Sequence, residues 1–260
     1  MILTLDVGNT NTCIGGFDEN DQLIFESRID TDRYRMADQY AITISDILRL
    51  YGHEPREITG AIISSVVPPV TGQLKEAVSK LCGCKALTVG PGLKTGLDIK
   101  IDEPASLGAD MAAVAVAAKE HYPLPAIVID LGTATKVLAV TKTGAFIGGI
   151  IAPGVKISIE ALANRTASLP LISISNDPPM KNVIGTNTID CMRSGLLYGT
   201  AFMVDGMIEN FEKELGEKCT VIATGGFSSV IKPLCKHDFI LDRTLIMTGL
   251  LDIYKKNVKQ

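Results

Sequence analysis

Two short stretches of this sequence carry the residue types that hold polyphosphate. Asp6-Val7-Gly8-Asn9-Thr10 follows the apolar run Ile2-Leu3-Thr4-Leu5, and Asp130-Leu131-Gly132-Thr133-Ala134 follows Ala126-Ile127-Val128-Ile129 about half a chain later. Each reads as a carboxylate closing a buried strand, with a glycine two residues on and then Asn or Thr. A carboxylate there can hold a cation beside phosphates, directly or through water. The glycine lets the backbone approach the phosphates with no side chain in the way. Asn9 and Thr133 offer neutral hydrogen bonds to phosphate oxygens. One such stretch is ordinarily a plain turn after a strand; two at corresponding places in two half-chains point to an internal duplication. A third glycine pair, Thr224-Gly225-Gly226 after a predicted strand, suits the close approach of an adenosine. The pattern G-x-x-x-x-G-K-[ST] is absent, and so is G-x-G-x-x-G after a strand, which disfavours the folds that depend on them.

The elements that must position these loops repeat as well. Ile2 to Asp6, Cys13 to Phe17 and Gln22 to Ile29 read as a strand and a hairpin around Phe17-Asp18-Glu19-Asn20-Asp21. Asp38 to Tyr51 has apolar residues at helical spacing and Gly52 to stop it. Ile58 to Val66 is a buried strand, Thr71 to Leu81 a helix and Ala86 to Val89 a short strand. Ser106 to Tyr122 is a helix apolar almost all round, which predicts burial on more than one side. The order restarts at Ala126, with a strand to Asp130 and a hairpin from Val137 to Thr141 and Ala145 to Ile151. Ile157 to Ala163 is predicted helical, Leu171 to Pro179 a loop, and Ile189 to Leu215 a long helix with a possible break at Gly199. Thr220 to Thr224 is a strand, and Ser228 to Cys235 and Leu245 to Lys255 are helices. This repeat predicts an α/β chain of the actin-like ATPase or ribonuclease H-like fold, the architecture of sugar kinases, Hsp70 and actin. Two duplicated domains, 1–116 and 117–260, would face each other across a cleft with both loops on its floor.

Bulk properties narrow the function classes. At 260 residues the chain accommodates two domains of about 130 each. A net charge of −4, with no basic run of five, argues against a nucleic-acid partner, because a phosphate backbone attracts clustered Lys and Arg. The opening apolar run stops at Asp6, too soon for a signal peptide, and no run approaches the length of a membrane helix. The expectation is a cytoplasmic protein with no membrane partner. The six cysteines are scattered, and Cys82-Gly83-Cys84 lacks a second pair or a histidine at zinc spacing, so they read as small buried or loop residues.

The motifs in order resemble type III pantothenate kinases, the family also called Bvg accessory factor homologues. The likeness runs through Asp6-Val7-Gly8-Asn9-Thr10-Asn11-Thr12, Lys94-Thr95-Gly96, Gly108-Ala109-Asp110, Asp130-Leu131-Gly132-Thr133-Ala134-Thr135, Gly148-Gly149 with Pro153-Gly154, Gly185-Thr186-Asn187-Thr188, Ser194-Gly195 with Tyr198-Gly199, and Thr224-Gly225-Gly226. The resemblance implies ATP-dependent phosphorylation of pantothenate, the first step to coenzyme A, by a homodimer using Mg²⁺ with ATP and a monovalent cation, K⁺ or NH₄⁺. By matching position, Asp6, Val7, Gly8, Asn9, Thr10, Asn11, Thr12 and Cys13 would wrap the phosphates, with Asp6 also at the metal. Thr133 would contact ATP, with Gly225 and Gly226 near the nucleotide, and Asp130 would hold the monovalent cation. Gly108, Ala109, Asp110 and Thr188 would line the acceptor site, with Asp110 as general base. Chemistry supports that role, since a primary hydroxyl must lose a proton as it attacks phosphorus. Aspartate is also a favoured residue at a helix start, so a purely capping role stays open.

Three positions depart from the family pattern, and all bear on the acceptor. Met111 stands where an arginine pairs with the substrate carboxylate, Ile101 where a tyrosine lines the acid site, and Lys136 where the second loop continues with threonine. Met111 cannot bind a carboxylate ion. Lys136 supplies a positive charge that partly replaces the arginine, or it is a surface lysine on a hairpin strand; a lysine lacks the planar fork of arginine. Three readings follow: a pantothenate kinase with a rearranged acid pocket, a kinase for another small hydroxylated metabolite, or a noncatalytic nucleotide-binding regulator. Retention of Asp6, Asp110, Asp130 and Thr133 favours an enzyme.

Overall fold

The computed structural model describes residues 1–174 and 182–258. In chain order the elements are β1 (Ile2–Val7), β2 (Asn11–Phe17), β3 (Leu23–Asp30), α1 (Ala37–Leu50), β4 (Gly60–Ser65), α2 (Pro68–Cys82), β5 (Leu87–Thr88), β6 (Asp98–Ile99), α3 (Ala109–His121), β7 (Ala126–Leu131), β8 (Ala134–Val140), β9 (Ala145–Pro153), α4 (Val155–Arg165), α5 (Thr188–Leu215), β10 (Thr220–Thr224), α6 (Ser228–Ile231), β11 (Ile240–Leu241) and α7 (Leu245–Asn257). They divide into two compact units. The first holds Met1–Asp98, Asp102–Glu120 and the chain from Thr244 onward; the second holds Ile99–Ile101 and His121–Arg243.

The first unit is built on a five-stranded sheet of order β3-β2-β1-β4-β5. β1 pairs antiparallel with β2 and parallel with β4. Alternation along β1 sends Leu3, Leu5 and Val7 to one face, where they pack with Tyr40, Ile44 and Leu48 of α1 and Leu74 and Val78 of α2. On the opposite face the Thr4 hydroxyl donates to Met247 Sδ of α7 at 3.2 Å, and α3 and α7 form the covering layer with Ile62, Phe17, Ala113, Val116 and Leu250. The predicted burial of the apolar helix on more than one side holds: α3 is buried at Ala109 and from Ala112 through Ala118. Its close approach to α7 depends on Gly249, where a Cβ would lie 1.9 Å from the Ala113 carbonyl oxygen.

The second unit repeats the plan. Its sheet runs β11-β10-β7-β8-β9, with the two-residue β6 added at the β9 edge. β7 is antiparallel to β8 and parallel to β10, the pairing that β1 makes with β2 and β4. Ile127, Ile129 and Leu131 face α4, α5 and α6 through Ile159, Leu197, Val204 and Ile231.

The structure differs from the sequence reading at several elements. α2 begins at Pro68 rather than Thr71, because prolines fit the first helical positions, where no N–H bond is required. α5 continues unbroken through Gly199, held by the buried Leu196, Leu197, Ala201 and Val204. The helix predicted over 228–235 is one α-turn followed by a tighter turn, Lys232–Leu234, since Pro233 cannot donate into the ladder. The last helix, assigned by the sequence boundary to the second half, packs on β1 and β4 of the first unit. Of the loop predicted over Leu171 to Pro179, residues 171–174 carry no helix or strand and the remainder lies outside the described residues. Among the described residues no helix is long and apolar enough to cross a membrane.

Candidate active site

Each strand-end carboxylate sits on the central strand of its sheet, between an antiparallel and a parallel neighbour. In the first unit Asp6 pairs in register with Cys13 of β2 and Ser64 of β4, so these three side chains share a face, the one covered by α3 and α7. The chain turns back through Gly8 to Asn11, with the Gly8 N–H donating to the Asn11 carbonyl at 3.0 Å. A Cβ at Gly8 would lie 3.1 Å from that oxygen, so glycine keeps the turn tight. The Thr12 and Thr31 hydroxyls are 2.9 Å apart, and the Thr31 N–H donates to the Thr10 carbonyl at 3.0 Å. The loop is thereby tied to the segment after β3. Burial pushes the Cys13 thiol pKa up, against the lowering pull of Arg28, so this thiol is a packing group rather than a nucleophile.

The second loop is one residue shorter. Pairing stops at Leu131 opposite Thr135, against Val7 opposite Thr12 in the first, and the Gly132 N–H donates to the Ala134 carbonyl at 3.2 Å. The shift puts Lys136 directly opposite Asp130, with Thr224 on the other side. The Lys136 ammonium lies 2.8 Å from Asp130 Oδ2, and the two side chains are only 16% and 19% exposed. Thr133 is exposed at the tip. Gly225, predicted from the sequence as an approach point for adenosine, has a further reason to be glycine. It has φ +91° and a Cβ there would lie 2.5 Å from the Leu131 carbonyl carbon, while the Phe227 N–H donates to the Leu131 carbonyl at 3.1 Å. Gly226 beside it is exposed.

Asp110 lies in the first turn of α3, after Gly108 and the buried Ala109. Its Oδ1 accepts the Met111 N–H at 2.8 Å, so one carboxylate oxygen satisfies a first-turn donor, as a helix-start aspartate does. A Cβ at Gly108 would stand 2.7 Å from that oxygen. Glycine therefore leaves room for the carboxylate. Asp110 and Met111 are half-buried, on the helix that covers the Asp6 face of the sheet.

The remaining predicted residues sit elsewhere in the second unit. Thr188 is the exposed first residue of α5, next to Asn187, whose Oδ1 caps the helix by accepting the Asp190 N–H at 3.0 Å. Ile101 is half-buried beside Gly148 of β9, with Cγ2 3.8 Å from the position of a Cβ there.

Two contributors escaped the sequence reading. Arg33 donates from Nη2 to Asn9 Oδ1 at 3.1 Å, bringing a guanidinium to the first loop; only chain closure after β3 brings it there. Gly154 backs the second loop so closely that a Cβ would fall 2.2 Å from the Thr133 carbonyl oxygen and 2.6 Å from that of Gly132. Its sequence signal is the pair Pro153-Gly154 at the end of the second hairpin.

Two sheets of one topology, each ending its central strand in a carboxylate and a glycine turn, define the duplicated α/β architecture of the actin-like ATPase fold class. Solved structures carry the same fold. An activator of 2-hydroxyisocaproyl-CoA dehydratase from Clostridium difficile, with bound ADPNP, superposes with a TM-score of 0.55 over 100% of this chain and 98% of that one, at 13% identity. A ROK family glucokinase from Streptomyces griseus, in complex with glucose and AMPPNP, gives 0.51 over 98% and 99%, at 12% identity. The sequence profile described as type III pantothenate kinase matches residues 2–210, and a type III pantothenate kinase of Halalkalibacterium halodurans is 42% identical over 99% of this chain and 100% of its own. The chain belongs to the type III pantothenate kinase family.

Proposed function

We propose that this chain transfers the terminal phosphoryl group of ATP to the primary hydroxyl of pantothenate, the opening step of coenzyme A synthesis. One observation carries the reading: the duplicated carboxylate-glycine strand ends occur in a chain whose α3 opens with Ala109-Asp110 directly after Gly108. Asp110 takes the hydroxyl proton as the new oxygen–phosphorus bond forms and the bond to the departing ADP oxygen breaks. The loop from Asp6 to Cys13 supplies backbone and hydroxyl donors to the phosphates, where the extra charge of the transition state develops. Thr133 contacts ATP, Gly225 and Gly226 lie near the nucleotide, and Thr188 contacts the acceptor.

Mg²⁺ fits Asp6. The Asp6 carboxylate is a hard oxygen donor, and the buried Ser64 Oγ in register on one side of it finds no hydrogen-bond partner among the described residues, while the Cys13 thiol on the other side is too soft a ligand to join the set. Bound there with ATP, the ion would neutralise phosphate charge. The monovalent cation implied at Asp130 does not fit the residues present, because an ammonium already lies on that carboxylate.

The acceptor half has its own supports. Met111 offers the pantothenate carboxylate no charge, and a second reading, another small hydroxylated acceptor, rests on this residue. The reading also includes a homodimer, in keeping with the exposed Ile151 and Phe202, and a cytoplasmic location, in keeping with six free thiols. ADP release and a phosphopantothenate mass on mixing protein, ATP, Mg²⁺ and pantothenate test the assignment. Intact nucleotide binding with no turnover at millimolar pantothenate would overturn it in favour of the second reading.

A further inference from the structure

The pair at Asp130 carries an inference about the ion requirement, and it rests on the phosphotransferase reading above. Register places Lys136 directly opposite Asp130 in an antiparallel pair, where side chains on one face meet at close range. The ammonium is 2.8 Å from Oδ2, and both groups are more than four-fifths shielded from water, unlike the loose pairs that dominate protein surfaces. The corresponding place in the first unit is Cys13, opposite Asp6. A lysine directly opposite the strand-end carboxylate therefore occurs in the second unit and not in the first, and the shorter loop sets the register that places it there.

A lysine head group is a substituted ammonium ion, a compact unit charge with three N–H donors and no acceptor. It presents to Asp130 the charge that a bound K⁺ or NH₄⁺ would present, and it cannot dissociate. A second monovalent cation brought to the same carboxylate would meet this ammonium at close range, and like-charge repulsion in a shielded site opposes it. We propose that Lys136 is a positioning residue that replaces a dissociable monovalent cation at Asp130, so that nucleotide binding and phosphoryl transfer by this chain require neither K⁺ nor NH₄⁺.

The test compares the native protein and Lys136→Thr in buffers with KCl or with a bulky quaternary ammonium chloride at equal ionic strength. Two readouts are taken: calorimetric affinity for a non-hydrolysable ATP analogue with Mg²⁺, and the rate of ADP release with pantothenate. The native protein is expected to change by less than about twofold in either readout, and K136T to lose on the order of tenfold or more without K⁺ and to recover when K⁺ is added. Activation of the native protein by K⁺, in affinity or in rate, overturns the proposal. So does a folded K136T that shows no K⁺ response. Should K136T fail to fold, the native protein's own salt response decides alone. If pantothenate is not phosphorylated in either salt, the assigned acceptor is wrong, and the analogue affinities still decide the question of the cation.

Discussion

Asp110 owes its placement to the residue two before it. The carboxylate occupies the volume a side chain at Gly108 would need, with Oδ1 2.7 Å from that position, and the same oxygen holds the Met111 N–H. Asp110→Asn keeps size and shape but removes the basic lone pair. Turnover is expected to fall by about 10²–10⁴-fold, with the affinity of a non-hydrolysable ATP analogue nearly unchanged. A rate within a few-fold of native would leave Asp110 as a helix-start residue only. At this scale the sequence was informative about residue type and silent about partners. The Lys136 side chain was open to two readings, a substitute for the missing arginine or a surface lysine. Its partner depends on where strand pairing resumes after the loop, which the shared D-x-G motif does not specify.

Among the elements, the two strand–turn–strand units were legible because an apolar run closed by Asp-x-Gly, ordinary when it stands alone, recurs at corresponding places in two half-chains. What supports the second turn was not. Gly154 lies beyond β9, with its Cα facing the Thr133 and Gly132 carbonyls. Gly154→Ala is expected to displace that turn, because the obstacle is backbone and cannot rotate away. The variant should keep its native far-UV circular dichroism and lose about a hundredfold in kcat/KM, the scale of an ångström-size misplacement at a reacting site. Unchanged kinetics would mean that the turn yields without consequence. The two-residue strands β6 and β11 had no sequence signal, since alternation needs more residues than they contain.

For the whole molecule, the acid limit of stability offers a test that is independent of catalysis. Asp205 of α5 is shielded, and burial alone would raise its pKa. The Lys236 and His237 N–H groups, at 2.7 and 3.0 Å, and the His237 ring at 2.8 Å outweigh burial and hold it below the ordinary 3.8. A depressed folded pKa contributes stability that is complete above the unfolded value and disappears as pH falls through the folded one. Urea midpoints of the native protein should therefore decline below pH 3.8. Asp205→Asn should flatten that decline and lower stability at neutral pH by about 1–3 kcal/mol, the cost of under-satisfied buried donors. Equal acid slopes in the two proteins would assign the decline to other carboxylates.

The last helix has a consequence for biogenesis. The second unit is contiguous from His121 to Arg243, apart from the three residues Ile99–Ile101, whereas the first awaits α7, whose Met247, Leu250 and Ile253 complete the layer over β1 and β4. On a ribosome the half that emerges first is thus finished last. Until α7 is made through Asn257, one apolar face of the nascent first sheet lacks part of its cover and is available to chaperones or to aggregation.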